Sequence, residues 1–194
     1  ILLFSILISF NSYGETKSYY YSNGQKSYEE NYKDDKLDST FGWYESGENR
    51  WEENFKDGRK NGKTTHWFKD GLIESEIIFK DGKKEGKEIM WHSNGQIMSE
   101  VINKDGKKEG KLTGWNGKGQ ITLEENYKDG GLVDATRYKF YDNGQINTEK
   151  KYKDDRLNGK STFWYKNGQK FVDANYKDNK SDGKWVFWKL NGQK

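Results

Sequence analysis

Hydrophobic and polar positions divide this chain into segments of six to eight residues, rich in aromatic and β-branched types and separated by short polar turns. That length suits strands and is too short for helices. Two kinds of turn alternate. One is Asn-Gly or a relative, as at Asn23-Gly24, Asn94-Gly95, Asn143-Gly144, Asn167-Gly168 and Asn191-Gly192. The other is Asp-Gly, as at Asp57-Gly58, Asp81-Gly82, Asp105-Gly106 and Asp129-Gly130. Both dipeptides tolerate the positive φ angles that tight hairpins demand. Two strands and two turns per unit predict an antiparallel meander.

The pattern repeats. Taking the glycine of the first turn as marker gives Gly24, Gly47, Gly71, Gly95, Gly119, Gly144, Gly168 and Gly192, at intervals of 23 to 25 residues. Four residues before each marker stands an aromatic: Tyr20, Trp43, Trp67, Trp91, Trp115, Phe140, Trp164 and Trp188. Five residues after seven of the markers comes an acid, from Glu29 to Asp173. Eight after come Tyr32, Phe55, Phe79, Asn103, Tyr127, Tyr152 and Tyr176, each followed by Lys-Asp. Gly-Lys pairs begin at Gly62, Gly86, Gly110, Gly159 and Gly183, where the chain is expected to bulge or to pass a crowded point. Such periods mark stacked repeats whose stability is nearly one-dimensional.

The predicted fold is all-β: an elongated single-layer antiparallel meander of stacked β-hairpins with a repeat of about 24 residues. Some sixteen strands would make a ribbon on the order of 75 Å long, with equivalent residues of successive units roughly 9.6 Å apart. Trp43, Trp67, Trp91, Trp115, Phe140, Trp164 and Trp188 then form an aromatic ladder on one face. The eighth-position Tyr or Phe is expected to fill the gaps between its rungs. Tyr44, Phe68, Tyr141 and Tyr165 fall on the opposite face of the Trp strand. These eleven residues are the candidate partner-binding or structural ladder. The fifth-position acid faces away from its own strand's tyrosines, with neighbouring lysines to offset its charge.

Composition sharpens this picture. Only 31% of the 194 residues are hydrophobic and 34% are charged, but 16% are aromatic, which argues against disorder and for a thin sheet. Lysine and arginine number 34 against 31 acids, a formal +3 too even to argue for nucleic acid. Cysteine is absent, which excludes disulfides, thiol catalysis and cysteine metal sites. The one sustained apolar run is ILLFSILISF at residues 1–10, too short for a transmembrane helix. With Ser12-Tyr13-Gly14 behind it, residues 1–14 read as the end of a secretory signal peptide. The other reading is an edge strand of the sheet. Residues 15–194 form the repeat domain of seven to eight units. Because there is no initiator Met and the last unit stops at Asn191-Gly192-Gln193-Lys194, both ends are expected to continue.

Units such as GKSTFWYKNGQKFVDANYKDNKSDGKW and GKEIMWHSNGQIMSEVINKDGKKEGK resemble the MORN-repeat variant of bacterial YwqK-type antitoxin proteins, over residues 16–194. The resemblance implies stacked β-hairpins that bind other proteins or, in the broader MORN class, membrane surfaces. Asp35, Asp155 and Asn179 replace turn glycines, and Asp134-Ala135 stands where Gly-Lys is expected, so the second hairpin of that unit should bulge.

Chemistry is sparse. His66 and His92 are the only histidines, expected roughly 10 Å apart on neighbouring units, too far to share a metal ion without further ligands. No Gly-x-Ser-x-Gly elbow or phosphate loop occurs, and no spaced acids of a calcium loop. The chain is therefore read as non-enzymatic, with no cofactor, metal or nucleic acid. A protein-interaction scaffold is the first expectation, with export to the periplasm, cell surface or medium. A carbohydrate, choline or membrane-surface binder using the ladder is the alternative. Self-association through open sheet edges is also expected.

Overall fold

The computed structural model describes residues 6–11 and 14–194, and they divide into two compact units, residues 1–107 and 108–194. The first unit contains β1 (Ile6–Asn11), β2 (Gly14–Tyr20), β3 (Lys26–Lys33), β4 (Lys36–Trp43) and β5 (Asn49–Lys56). It continues with β6 (Arg59–Lys60), β7 (Gly62–Trp67), β8 (Ile73–Lys80), β9 (Lys83–Trp91) and β10 (Ile97–Lys104). The second opens within β11 (Lys107–Trp115) and holds β12 (Ile121–Lys128), β13 (Gly131–Phe140), β14 (Ile146–Lys153), β15 (Arg156–Trp164), β16 (Lys170–Lys177), β17 (Lys180–Ser181) and β18 (Val186–Phe187). No helix occurs among the described residues. In each unit the pairing is antiparallel and links strands close in sequence, such as β2 to β3 to β4 to β5 and β12 to β13 to β14. The expected all-β stack of hairpins is therefore what forms. β1 pairs with β2; residues 1–5 and 12–13, on which the signal-peptide reading also rests, lie outside the described residues.

The two turns differ in construction. At the Asp turns the strands close around two residues, as Lys33 opposite Lys36 and Lys153 opposite Arg156. Both loop residues take positive φ, for example 48° at Asp57 and 73° at Gly58. This is the mirror-image turn that matches strand twist. At the Asn-Gly turns the loop has three residues. Gly47 N–H donates to Tyr44 C=O and Tyr44 N–H to Glu48 C=O, so only the glycine needs positive φ, 102° at Gly47. The Asn side chain instead accepts from the backbone two residues on, as Asn23 from Gln25 N–H at 3.0 Å.

The Gly-Lys positions are bulges. Between Ile77–Glu88 and Phe79–Lys84 the register slips around Gly86, at φ 82°, and the same happens around Gly159, at φ 92°. Where Asp134-Ala135 replaces Gly-Lys a bulge still forms, between the Asn126–Asp134 and Tyr127–Leu132 pairs. Successive turns are stitched together: Gly82 N–H donates to Lys60 C=O and, in the second unit, Gly130 N–H to Lys108 C=O.

The interior is thin. Among the described residues the buried hydrophobic ones are Val101, Leu112, Ala135, Val172 and Ala174, outnumbered by small polar ones such as Thr40, Thr64, Thr65, Ser161 and Thr162. Mid-strand threonines and serines are short, so the longer side chains flanking them close over both faces. One expectation is corrected. The eighth-position aromatic does not fill gaps between the Trp rungs. Tyr32 lies three residues after Glu29, and strand alternation puts it on the face away from Phe41 and Trp43.

Candidate functional site

The ladder aromatics end their strands. Trp43, Trp67 and Trp91 close β4, β7 and β9; Trp115, Phe140 and Trp164 close β11, β13 and β15; and Trp188 follows β18. All are half-buried. Their face can be traced by register in the first unit: Glu29, Phe41, Glu52, Thr65, Glu76, Ile89 and Glu100 stand opposite one another in succession. Trp43 joins this face, its ring centroid 6.2 Å from Phe41.

Most fifth-position acids of this face are paired. In four of the five Gly-Lys pairs the lysine reaches the acid of the following strand: Lys63 to Glu76 at 2.7 Å, Lys87 to Glu100 at 2.9 Å, Lys111 to Glu124, and Lys160 to Asp173 at 2.7 Å. Lys26 bonds Glu29 at 2.5 Å and lies 5.2 Å from the Trp43 ring. The Lys111 ion pair and a hydrogen bond from Tyr138 hold the Glu124 carboxyl below its ordinary value. The face is thus periodic and aromatic, and four of the Gly-Lys lysines neutralise an acid on it.

Tyr44, Tyr141 and Tyr165 do different work. The Tyr44 hydroxyl donates to Trp67 C=O at 2.7 Å, Tyr141 to Trp164 C=O at 2.7 Å, and Tyr165 to Trp188 C=O at 3.0 Å. Tyr21 does the same to Trp43 C=O at 2.8 Å. Each phenol clips its unit to the next. Phe68 occupies the same position without a hydroxyl. These tyrosines therefore serve the stack, and the Trp row is left as the repeated surface.

Sequence reasoning missed the opposite face. Its aromatics carry cations from the same unit: Lys17 lies 4.5 Å from the Tyr32 ring, Lys60 5.4 Å from Phe79, and Lys108 4.7 Å from Tyr127. At β2 to β5, Tyr19 and Tyr28 have ring centroids 5.6 Å apart, and Tyr28 and Trp51 6.1 Å apart. Trp51 packs flat on Gly42, where a Cβ would stand 2.3 Å from the indole. Beside them Glu30 accepts from Tyr32 at 2.9 Å, Tyr28 at 3.3 Å and Tyr19 at 3.4 Å. Burial and the Glu30 carboxylate push Tyr28 up to about 12. The register runs Glu30, Thr40, Glu53, and buried Thr40 floors a groove lined by Tyr28, Leu37, Trp51, Glu53 and Phe55. A signal for it existed: Trp51 stands four residues after its marker glycine, where Tyr28 stands in the preceding unit.

Neither histidine meets a metal-ligand set. His66 Nδ1 lies 3.2 Å from Ser75 Oγ, and no group of three His, Asp or Glu side chains that could hold a metal occurs among the described residues.

Four segments match the MORN repeat variant. They are residues 16–34, 84–103, 134–154 and 157–178, and each spans strands and turns of the hairpin pattern described above. MORN repeats are commonly non-catalytic repeat modules. No curated protein matches the chain. Among solved structures, the crystal structure of TarM is similar over 77% of this chain and 21% of that one, at 11% identity and a TM-score of 0.18. The chain thus spans about a fifth of TarM, and that likeness carries no argument about fold or function.

Proposed function

We propose that this chain is a non-catalytic MORN-type scaffold, exported from the cytoplasm, that binds another protein along its Trp-bearing face. The observation that carries the reading is the repeated half-exposed indole beside charges already paired within the sheet. Aromatic rings set in a neutralised surface suit a protein partner. An anionic membrane or nucleic acid would instead need unpaired lysines, and here Lys63, Lys87 and Lys160 are each held by an acid. A YwqK-type antitoxin role is a narrower form of this reading, in which the bound protein is a toxin met outside the cytoplasm.

The test combines tryptophan fluorescence with affinity capture. Choline, oligosaccharides and anionic vesicles are expected to leave the emission unchanged. A defined partner should be retained by the wild type and lost by Trp67→Ala/Trp164→Ala, whose circular dichroism stays that of a β-sheet. A saturable response to any of the three ligands, or equal capture by the variant, would refute the proposal. Fractionation of cells carrying the full reading frame tests export.

A further inference from the structure

We propose that, in the first unit, the Trp-bearing face over β7 to β10 is a trough for an acidic amphipathic helix of a partner protein. The inference rests on the scaffold reading and adds to it a location and a partner chemistry. Ile78 and Ile102 stand seven residues after Gly71 and Gly95, two residues beyond Glu76 and Glu100 and so on the same face. Both are exposed, at 43% and 45%, as is Ile97 at 38%. In the preceding repeat the same position is Asn54, whose amide donates to Lys63 C=O at 2.8 Å; in the second unit Asn175 donates to Lys184 C=O at 3.3 Å. Isoleucine can make no such bond. These two repeats give up a stitch within the sheet and set apolar surface in water instead, a local loss that a contact from outside explains.

The trough has two banks. Ile78 lies opposite Lys63 and Ile102 opposite Lys87, four residues along β7 and β9 from Trp67 and Trp91. Four residues of strand span about 13 Å, so the isoleucine row and the Trp row stand apart by roughly the diameter of an α-helix. Between them lie Ile89 and the Lys63–Glu76 and Lys87–Glu100 pairs, a floor whose charges are already offset. Along the sheet the rungs recur at roughly 9.6 Å. Seven residues of helix advance about 10.5 Å and return to the same face, whereas an extended strand covers that distance in three residues and turns the third side chain away. The charge of the occupant is set beyond the isoleucines. Lys80 and Lys104, two residues further on this face, are exposed and form no ion pair among the described residues. Lys80 stands directly opposite Lys83, which is 4.0 Å from Asp105, and like charges so placed destabilise a sheet. Carboxylates along one flank of the helix relieve that repulsion while its apolar side settles between the banks.

The experiment titrates the whole chain into dye-labelled synthetic peptides and reads fluorescence anisotropy. One peptide is a three-heptad amphipathic helix with leucine on its apolar side and glutamate along one flank. A second carries lysine in place of the glutamates, and a third is the acidic peptide broken by a central proline. The acidic helix should bind saturably, the lysine version about fivefold more weakly or worse, and the broken one more weakly than the intact helix. Ile78→Asn/Ile102→Asn, which restores the asparagine of the preceding repeat, should weaken the acidic helix about tenfold or more with the β-sheet circular dichroism unchanged. Should that variant not fold, Lys80→Gln/Lys104→Gln should weaken the acidic helix about fivefold and not the lysine version. A flat titration, equal binding of the lysine or broken peptide, or unchanged binding in the folded variants would overturn the proposal. So would phosphatidylglycerol vesicles held by the wild type and released by Ile78→Asn/Ile102→Asn, which would assign the patch to a membrane. The titration uses no natural partner, so its failure is distinct from failure of the scaffold reading, which shows as equal partner capture by Trp67→Ala/Trp164→Ala.

Discussion

The phenol clip between units can be tested against a position where the chain omits it. Tyr44 Oη donates to Trp67 C=O at 2.7 Å, whereas Phe68, one unit on, has no hydroxyl to offer Trp91 C=O. Removing a hydrogen bond of this kind costs about 1 kcal/mol, and the half-buried carbonyl can recover water, so Tyr44→Phe should cost about 0.5–1 kcal/mol. The reverse change, Phe68→Tyr, should gain a similar amount if the repeat geometry carries over. In a chain of this length such a change shifts Tm by about 1–4 °C. The assay is thermal and urea unfolding of Tyr44→Phe, Tyr141→Phe, Phe68→Tyr and the Tyr44→Phe/Phe68→Tyr pair, with amide hydrogen exchange at the Trp67 strand end. The pair should fall close to wild type. If Tyr44→Phe and Tyr141→Phe are both neutral and Phe68→Tyr destabilises, the phenols do not hold the units together and the argument fails.

Other outcomes follow from particular contacts. Asp35 and Asp155 hold φ of 58° and 57° at the second loop position where other units use glycine, so each change to Gly should raise stability by about 0.5–1 kcal/mol in urea unfolding. Gly42→Ala drives a Cβ to within 2.3 Å of the Trp51 indole and should cost about 1–3 kcal/mol, a loss that shrinks in the Trp51→Leu background. Burial pushes Asp173 up, but hydrogen bonds from Lys160, Thr162 and Lys170 outweigh it, and Glu124 is lowered by Lys111 and Tyr138. The folded pKa values lie below the unfolded ones, so their contribution is complete above about pH 4 and is lost as pH falls through the folded values. Tm measured against pH should drop there, less steeply in Lys111→Met. At the alkaline end Tyr28 and Tyr127 are pushed up to about 12, by burial and by Glu30 and Glu125. The stability they contribute is whole below about pH 10 and disappears toward 12, seen as late phenolate absorbance coincident with unfolding.

Much of this molecule was legible in one dimension. The 24-residue spacing, the Asp-Gly and Asn-Gly dipeptides and the six-to-eight-residue segments specify strands, turns and pairing, because hairpin geometry is local and the turn residues set the register. The Gly-Lys bulge was legible for the same reason. The pairing of its lysine with an acid was visible only in outline, as a lysine near an acid, because the partner lies on the next strand. The phenol clips were not legible at all: Tyr44 and Trp67 are 23 residues apart, and only the stacking of one unit on the next brings hydroxyl to carbonyl. The same holds for the placement of Tyr32. A simple reading of aromatic spacing put it between the Trp rungs, whereas strand alternation and the Glu30 carboxylate put it on the other face. Periodicity alone thus determined the repeating hairpin, since each turn and strand needs only its near neighbours. Which side chains meet across units was decided by the stacked sheet, because those contacts join residues on different strands.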